Sequence, residues 1–221
     1  MEYSYKTENG KLFDIIAQSP EMEIVRNLLA LQASFRVFNG NYHELTQYLE
    51  YPHEQSENQE AVINETSRLL HNFLASAGSL VDHTRVIMIK LYSNHEFKDV
   101  YQKKLREDLG NNHERNLIQN LRNYTLHETL PILDLQNSFS DNSLFSIQID
   151  VKTLKESEYW KPWEDSEDYL NKLGDSTKLE DLVKKYYELI INFYTWLTER
   201  QYHDIHKTDL EKLQEMRKGL I

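Results

Sequence analysis

Residues 58–91 read NQEAVINETSRLLHNFLASAGSLVDHTRVIMIKL, a run with no proline in it. Val62, Leu69, Leu70, Phe73, Leu74 and Leu80 recur at helical spacing, and Val81 and Ile87 through Leu91 continue the apolar stripe. Apolar residues at that period, with polar ones between, predict a long amphipathic helix that buries one face. Ala75, Ala77 and Gly78 cluster near its middle. Small side chains there let another element approach closely, and the glycine is also a possible kink. A helix of this length commits the fold to helix packing.

The flanking sequence agrees. Upstream, Ser19 is a candidate N-cap with Pro20 in the first turn, and Ile24, Leu28, Leu31 and Phe35 share a face, so a helix is predicted over 20–38 with Asn39-Gly40 as its stop. Downstream, Ser93 or Asn94 caps a helix through Phe97, Val100, Tyr101 and Leu105 to Leu109, ended by Gly110-Asn111-Asn112. The next helix spans about 113–126, and Pro131 forbids its continuation because the ring clashes with the preceding turn. Residues 132–135 and 144–149 then alternate with a period of two on either side of a polar stretch, which predicts a small β-hairpin. An acidic loop with Tyr159, Trp160, Pro162 and Trp163 follows. Leu182, Val183, Tyr186, Ile190, Phe193, Trp196 and Leu197 mark a strong helix from Leu179 to about residue 202, and Thr208 or Asp209 caps a last one to Lys218. The expected fold is mainly α: a multi-helix bundle, one domain over residues 1–221, with a hairpin and loop insertion at about 131–165.

Composition supports that reading. The 221 residues are 39% hydrophobic and 28% charged, and six glycines with four prolines leave room for few tight turns. The absence of cysteine excludes disulfides, thiolate metal sites and cysteine nucleophiles, and suits a reducing compartment. Residues 1–10 are polar and lack a basic-then-apolar signal pattern. Nor does any segment approach the roughly 18 uncharged apolar residues of a membrane span. A soluble, cytoplasmic protein without a membrane role is therefore expected. A formal net charge of -11 repels phosphate backbones on average, so any nucleic-acid function requires a local basic pocket. Gly-rich phosphate loops, G-x-S-x-G elbows and H-E-x-x-H pairs do not occur.

In the helix over 113–126, Leu117, Ile118, Leu121 and Tyr124 form an apolar face, while Asn116, Asn120, Asn123 and His127 make one polar stripe. Asparagine is a poor helix former because its amide competes for nearby backbone groups, so the stripe calls for a role beyond solubility. Here the chain resembles the HEPN superfamily, whose signature is an Arg, often followed by a polar residue, then four to six residues and a His. The matching residues are Arg122, Asn123 and His127, followed by Leu130-Pro131. The Arg-to-His spacing also occurs at Arg36–His43, Arg106–His113 and Arg200–His206; of the four, only Arg122 is followed by Asn and lies within a helix bearing a polar stripe.

The resemblance implies metal-independent cleavage of RNA, in a toxin or defence setting, with no cofactor or metal. The chemistry suits the residue types. A histidine with an ordinary pKa of about 6.5 can exchange a proton with a ribose hydroxyl near neutrality. An arginine can hold the scissile phosphate through two parallel donors, and an asparagine can orient the histidine. On a straight helix Asn123 and His127 share a face, but Arg122 and His127, five apart, diverge. Convergence needs unwinding near Pro131 or a two-fold mate. Relatives in the superfamily commonly build the site across a dimer, so a homodimer with RNA as partner is expected.

A structural alternative stands beside this. Arg122 can pair with an acid, His127 can favour the helix C-terminus through its dipole, and the asparagines can bond neighbouring helices. The protein is then a non-catalytic helical binding or scaffold protein, whose protein partner meets the Asn-His stripe or the Trp160/Trp163 loop. Three further constellations have two readings each. His203-Asp204-Ile205-His206 with Glu199 is a candidate metal set or a solvated helix end. Asp82-His83 with Arg85 is a surface ion-pair group or part of an Arg122 pocket. Tyr159, Trp160 and Trp163 are a base-stacking surface or a packed loop.

Overall fold

A computed structural model describes residues 8–51, 58–137 and 145–219. Its element order is α1 (Glu8–Ala17), α2 (Pro20–Glu50), α3 (Gln59–Tyr92), α4 (Phe97–Leu105), a π-helical segment (Arg106–Gly110), α5 (His113–His127), β1 (Leu133–Asn137), β2 (Phe145–Asp150), α6 (Val151–Glu156), α7 (Ser166–Leu173), β3 (Ser176–Lys178), α8 (Leu179–Glu199), a second π-helical segment (Arg200–Ile205) and α9 (Lys207–Lys218). The fold is mainly α with a small sheet. Residues 1–10 of the signal-pattern argument fall mostly outside the described residues, as does the hairpin turn at 138–144.

α3 forms as its sequence demands. The Asn58 side chain caps it by accepting from the Ala61 amide at 3.3 Å. Val62, Leu69, Leu70, Phe73, Leu74 and Leu80 are all buried. The stripe narrows beyond them, with Val81 and Ile89 exposed. α2 lies antiparallel to α3, as Ser34 Oγ meets His83 Nδ1 at 2.7 Å and Glu44 meets Arg68 at 3.1 Å.

α2 starts as expected, its Ser19 hydroxyl accepting from the Met22 amide at 3.1 Å. It does not stop at Asn39-Gly40; it runs unbroken to Glu50. Tertiary packing overrides the local signal. A mid-helix glycine costs about 1 kcal/mol, whereas full burial of Phe38 and Leu45, on either side of it, stabilises by about 2 kcal/mol each. Asn39 itself is held, its amide oxygen accepting from the Tyr187 hydroxyl at 2.5 Å.

α8 fits against both. Tyr42 stacks on Tyr187 with ring centroids 3.5 Å apart, Phe35 meets Tyr194 at 5.5 Å, and Phe73 meets Tyr186 edge-on at 6.0 Å. Its expected stripe is buried apart from the half-buried Trp196, and the predicted helical path beyond Glu199 continues as a π-helical turn. α5, capped by Asn112 accepting from the Arg115 amide at 2.9 Å, packs its apolar face onto α3 and α8. Leu117, Ile118, Leu121 and Tyr124 are all buried there.

The expected hairpin is present as the antiparallel pair β1–β2, with Leu133 opposite Ile149 and Leu135 opposite Ile147. A third strand, β3, adds to β2 with Ile149 opposite Thr177, making the order β1-β2-β3. Three residues carry too little alternation to be read as a strand; β3 is defined by its antiparallel pairing with β2. α1, α6 and α7 were also not anticipated. Each is short and gains its partner only in the fold, α1 against α2 and α9, for example. No helix among the described residues is long and apolar enough to cross a membrane.

Candidate functional site

Arg122 leaves α5 toward α3, and the small residues at the middle of α3 receive it. A Cβ placed on Gly78 would lie 2.1 Å from Arg122 Nε, 2.6 Å from Cζ and 2.8 Å from Nη2. The side chain therefore occupies space that any residue but glycine would fill. The close approach predicted at Ala77-Gly78 is thus made by a guanidinium and not by a second helix backbone, and α3 continues through Gly78 as helix.

Among the described residues no acid pairs with Arg122. Its Nε is buried and has no hydrogen-bond partner. Leaving a buried donor unmet costs about 1–3 kcal/mol, more on a charged group, and such a cost persists only where something offsets it.

The guanidinium borders a cavity of about 770 Å³ enclosed by α3, α4, the first π-helical segment, α5 and α8. Five cations line it: Arg85, Lys98, Arg106, Arg115 and Arg122. Neither a carboxylate nor a histidine is among the lining residues, although the chain carries a net charge of -11. The acids that follow Arg106 in sequence are directed elsewhere, Asp108 to Lys104 at 3.0 Å and Glu107 toward Lys103 at 3.8 Å. Arg85 pairs with Asp82 at 2.9 Å on the exposed face of α3. Among the described residues Arg115 donates only to the neutral amide of Asn116, at 2.9 Å. Among the described residues Lys98, Arg106, Arg115 and Arg122 have no carboxylate within 4.0 Å.

Between the cations the wall is mostly apolar, with Met88, Ile118, Ile190 and Phe193 among its residues, and Thr84, Ser93, Gln102 and Gln119 add uncharged polar groups. Two tyrosines add hydroxyls. Burial pushes Tyr186 up to about 12, while the positive charges of Arg115 and Arg122 pull the other way. Tyr101 is likewise pushed up to about 12 by burial. Both phenols are therefore neutral donors at physiological pH. The π-helical turn contributes Arg106, Leu109 and Gly110 to the rim, and such wide turns occur often at functional sites.

Asn123 and His127 lie elsewhere. Neither lines the cavity. The Asn123 amide oxygen accepts from Gln119 Nε2 at 3.1 Å. His127 is exposed at the end of α5, its ring stacked on Tyr159 at 5.4 Å. The divergence of Arg122 from His127 that helical geometry demands is present, with no unwinding of α5 before His127 to undo it.

No known protein family, curated protein or solved structure matches the chain.

The asparagine stripe has a packing role that explains part of it. Asn120 is buried and clasps the aromatic loop, donating to the Lys161 carbonyl at 2.8 Å and accepting from its amide at 3.4 Å. Trp160 is buried, and Trp163 donates its indole N–H to His113 Nδ1 at 2.9 Å. The loop is packed against α5, which leaves no open stacking face on Trp160.

Of the histidine pair near the second π-helical segment, His203 is exposed but His206 is not. His206 is buried, Nε2 bonded to the Tyr92 hydroxyl at 2.9 Å and Nδ1 to Asp209 at 3.0 Å, so it is neither a metal ligand here nor a solvated turn. No group of three or more His, Asp or Glu suited to a metal ion is found among the described residues. Three of the cavity's five cations, Lys98, Arg106 and Arg115, carry no signal in the sequence reading of that site. They come from separate elements, and only Arg85 had been linked to an Arg122 pocket.

Proposed function

We propose that the protein is a non-catalytic helical binding protein whose ligand, an anion with an apolar body, is taken into the Arg122 cavity. One observation carries this: five cations and no carboxylate line a mostly apolar cavity in a strongly acidic chain, and one of them, Arg122, has a buried, unpartnered Nε donor. Concave, mostly apolar sites with a few convergent polar groups are the usual form of small-ligand pockets, and this volume lies in their range. Cations without acids in a low-dielectric wall attract anions more strongly than the same charges would in water.

The test is a calorimetric titration of the full chain with naphthyl phosphate, a single anion on an apolar ring system. One-to-one binding is expected, weakened about ten- to a hundredfold by Arg122→Met, the range for one charge-assisted hydrogen bond. Absence of binding, or equal affinity in the variant, overturns the proposal.

A second reading keeps the ribonuclease. It is favoured by the unpaired Arg122, which is free to hold a phosphate. It requires His127 to be supplied by a second copy, hence the homodimer, with Asn123 beside it and RNA as a cytoplasmic substrate. Cleavage of single-stranded RNA without metal, lost in His127→Ala, supports it; RNA left intact by the wild type, or equal cleavage by the variant, sinks it.

A further inference from the structure

The aromatic loop between α6 and α7 is tied to α5 at two places that differ in chemistry. Upstream, the Asn120 amide donates to the Lys161 carbonyl and accepts from its N–H, and none of these groups titrates. Downstream, Trp163 donates its indole N–H to His113 Nδ1 at 2.9 Å. An indole nitrogen is a donor only, so this bond exists only while Nδ1 offers a lone pair. The ring proton of His113 must then sit on Nε2. A second proton can enter the ring only at Nδ1, the atom that Trp163 already uses. Proton uptake by His113 and the Trp163 bond therefore exclude one another.

Tyr169 sharpens the contrast. Its ring stacks on that of His113, with centroids 4.8 Å apart and planes 12° from parallel. Burial pushes Tyr169 up to about 12, so it presents a neutral π-face. An imidazolium is attracted to such a face, whereas the same proton sets two N–H donors against each other at Trp163. Acid thus strengthens one contact of His113 and abolishes the other. The charged groups on the elements around the ring are Glu114 and Arg115 beside it on α5, Lys161, Glu164 and Asp165 on the loop, and Glu167, Asp168 and Lys172 on α7. Acids outnumber cations among them, so like charge does not expel the imidazolium. Among the described residues no carboxylate lies within 4.0 Å of His113, so none replaces Trp163 as its partner.

We infer that His113 and Trp163 form an acid-released latch: when His113 takes up a proton, the Trp163 end of the loop leaves α5, while Asn120 and the buried Trp160 keep the upstream end in place. Histidine is the side chain whose charge changes between about pH 5 and about 8, and the latch works in that interval. The docked loop requires the neutral ring, so docking is complete at the alkaline end and is lost toward the acid end. Two facing donors weaken the docked arrangement about ten- to a hundredfold. Trp163, half-buried while latched, is then open to solvent.

The test uses the full chain carrying Trp196→Phe, which leaves Trp160 and Trp163 as its only indoles. Its emission should move reversibly to the red as the pH falls from about 8 to about 5, with helical circular dichroism unchanged. His113→Asn in the same background places an uncharged amide oxygen where Nδ1 stood, and should keep the blue emission throughout. In the wild-type chain, the Trp163 indole N–H resonance, identified by its absence from Trp163→Phe, should shift along the same pH curve as the His113 ring C–H signals.

Emission that stays unshifted in acid, or shifts equally in His113→Asn, overturns the inference. So does an indole resonance that does not follow the His113 ring. A red shift that accompanies loss of helix overturns it as well, since acid then unfolds the chain and does not release a latch.

Discussion

Arg122 rests in the place of a side chain that Gly78 lacks: its Nε lies 2.1 Å from where a Cβ on residue 78 would be. Gly78→Ala therefore separates fold from site. Alanine favours the helix by about 1 kcal/mol, and the atom it displaces belongs to a long, flexible side chain, so stability should change by less than about 1 kcal/mol. Arg122 must move, and affinity for naphthyl phosphate should fall about tenfold. Chemical denaturation and calorimetry on the same preparation check both halves. Unchanged affinity in a folded Gly78→Ala protein would separate the ligand from Arg122.

Gly40 offers the opposite case. It lies inside α2, and a Cβ there meets nothing within 4 Å. Gly40→Ala should raise stability by about 0.5–1 kcal/mol, by removing the unfolded chain's extra freedom and the glycine penalty. A loss of stability on urea denaturation would mean that α2 does not pass through residue 40 as a continuous helix.

Asn120 is the clasp between α5 and the aromatic loop. Asn120→Ala leaves the Lys161 carbonyl and amide without that partner, at a cost of about 1–3 kcal/mol. Since Trp160 and Trp163 belong to the same loop, their fluorescence should shift to the red as the loop loosens. A variant as stable as wild type, with unshifted emission, would contradict the docked loop.

Tyr101, Tyr169 and Tyr186 are each pushed up to about 12, burial being the main cause. The folded state thus holds these protons more tightly than the unfolded chain, whose phenols titrate near about 10. The stability this represents is fully present below about pH 10 and is lost as pH rises through about 12. The melting temperature should fall across that window, and tyrosinate absorbance from these residues should appear together with unfolding. Tyr186→Phe should soften the alkaline loss. Full tyrosine ionisation near pH 10 with the helices intact would contradict their burial.

What the sequence disclosed follows from where the decisive interactions lie. α3, α5 and α8 were legible because each carries its own apolar period and caps, so local pattern and tertiary burial agree. α2 was cut short at Asn39-Gly40 because propensity is local, whereas the burial of Leu45 and the Tyr187–Asn39 bond are supplied from distant chain. β3 was missed because three residues cannot show a period. At the site, Arg122 stood out by its motif spacing, yet what sets it apart in the fold is Gly78, forty-four positions earlier in the chain. The Ala77-Gly78 pair was the one legible hint of that contact. Lys98, Arg106 and Arg115 share a wall with Arg122 only because α4, the π-helical turn and α5 close around α8, a meeting that no spacing encodes.

The central claim is that the buried Arg122 Nε–H awaits an anion, and it is read most directly from the arginine Nε–H resonances of nitrogen-labelled protein titrated with naphthyl phosphate. The Arg122 signal, identified by its absence from Arg122→Met, should shift saturably. That of Arg68, whose Nε already donates to Glu65 at 2.9 Å, should stay still. An Arg122 signal that does not move, or arginine signals that all drift alike, would contradict the account.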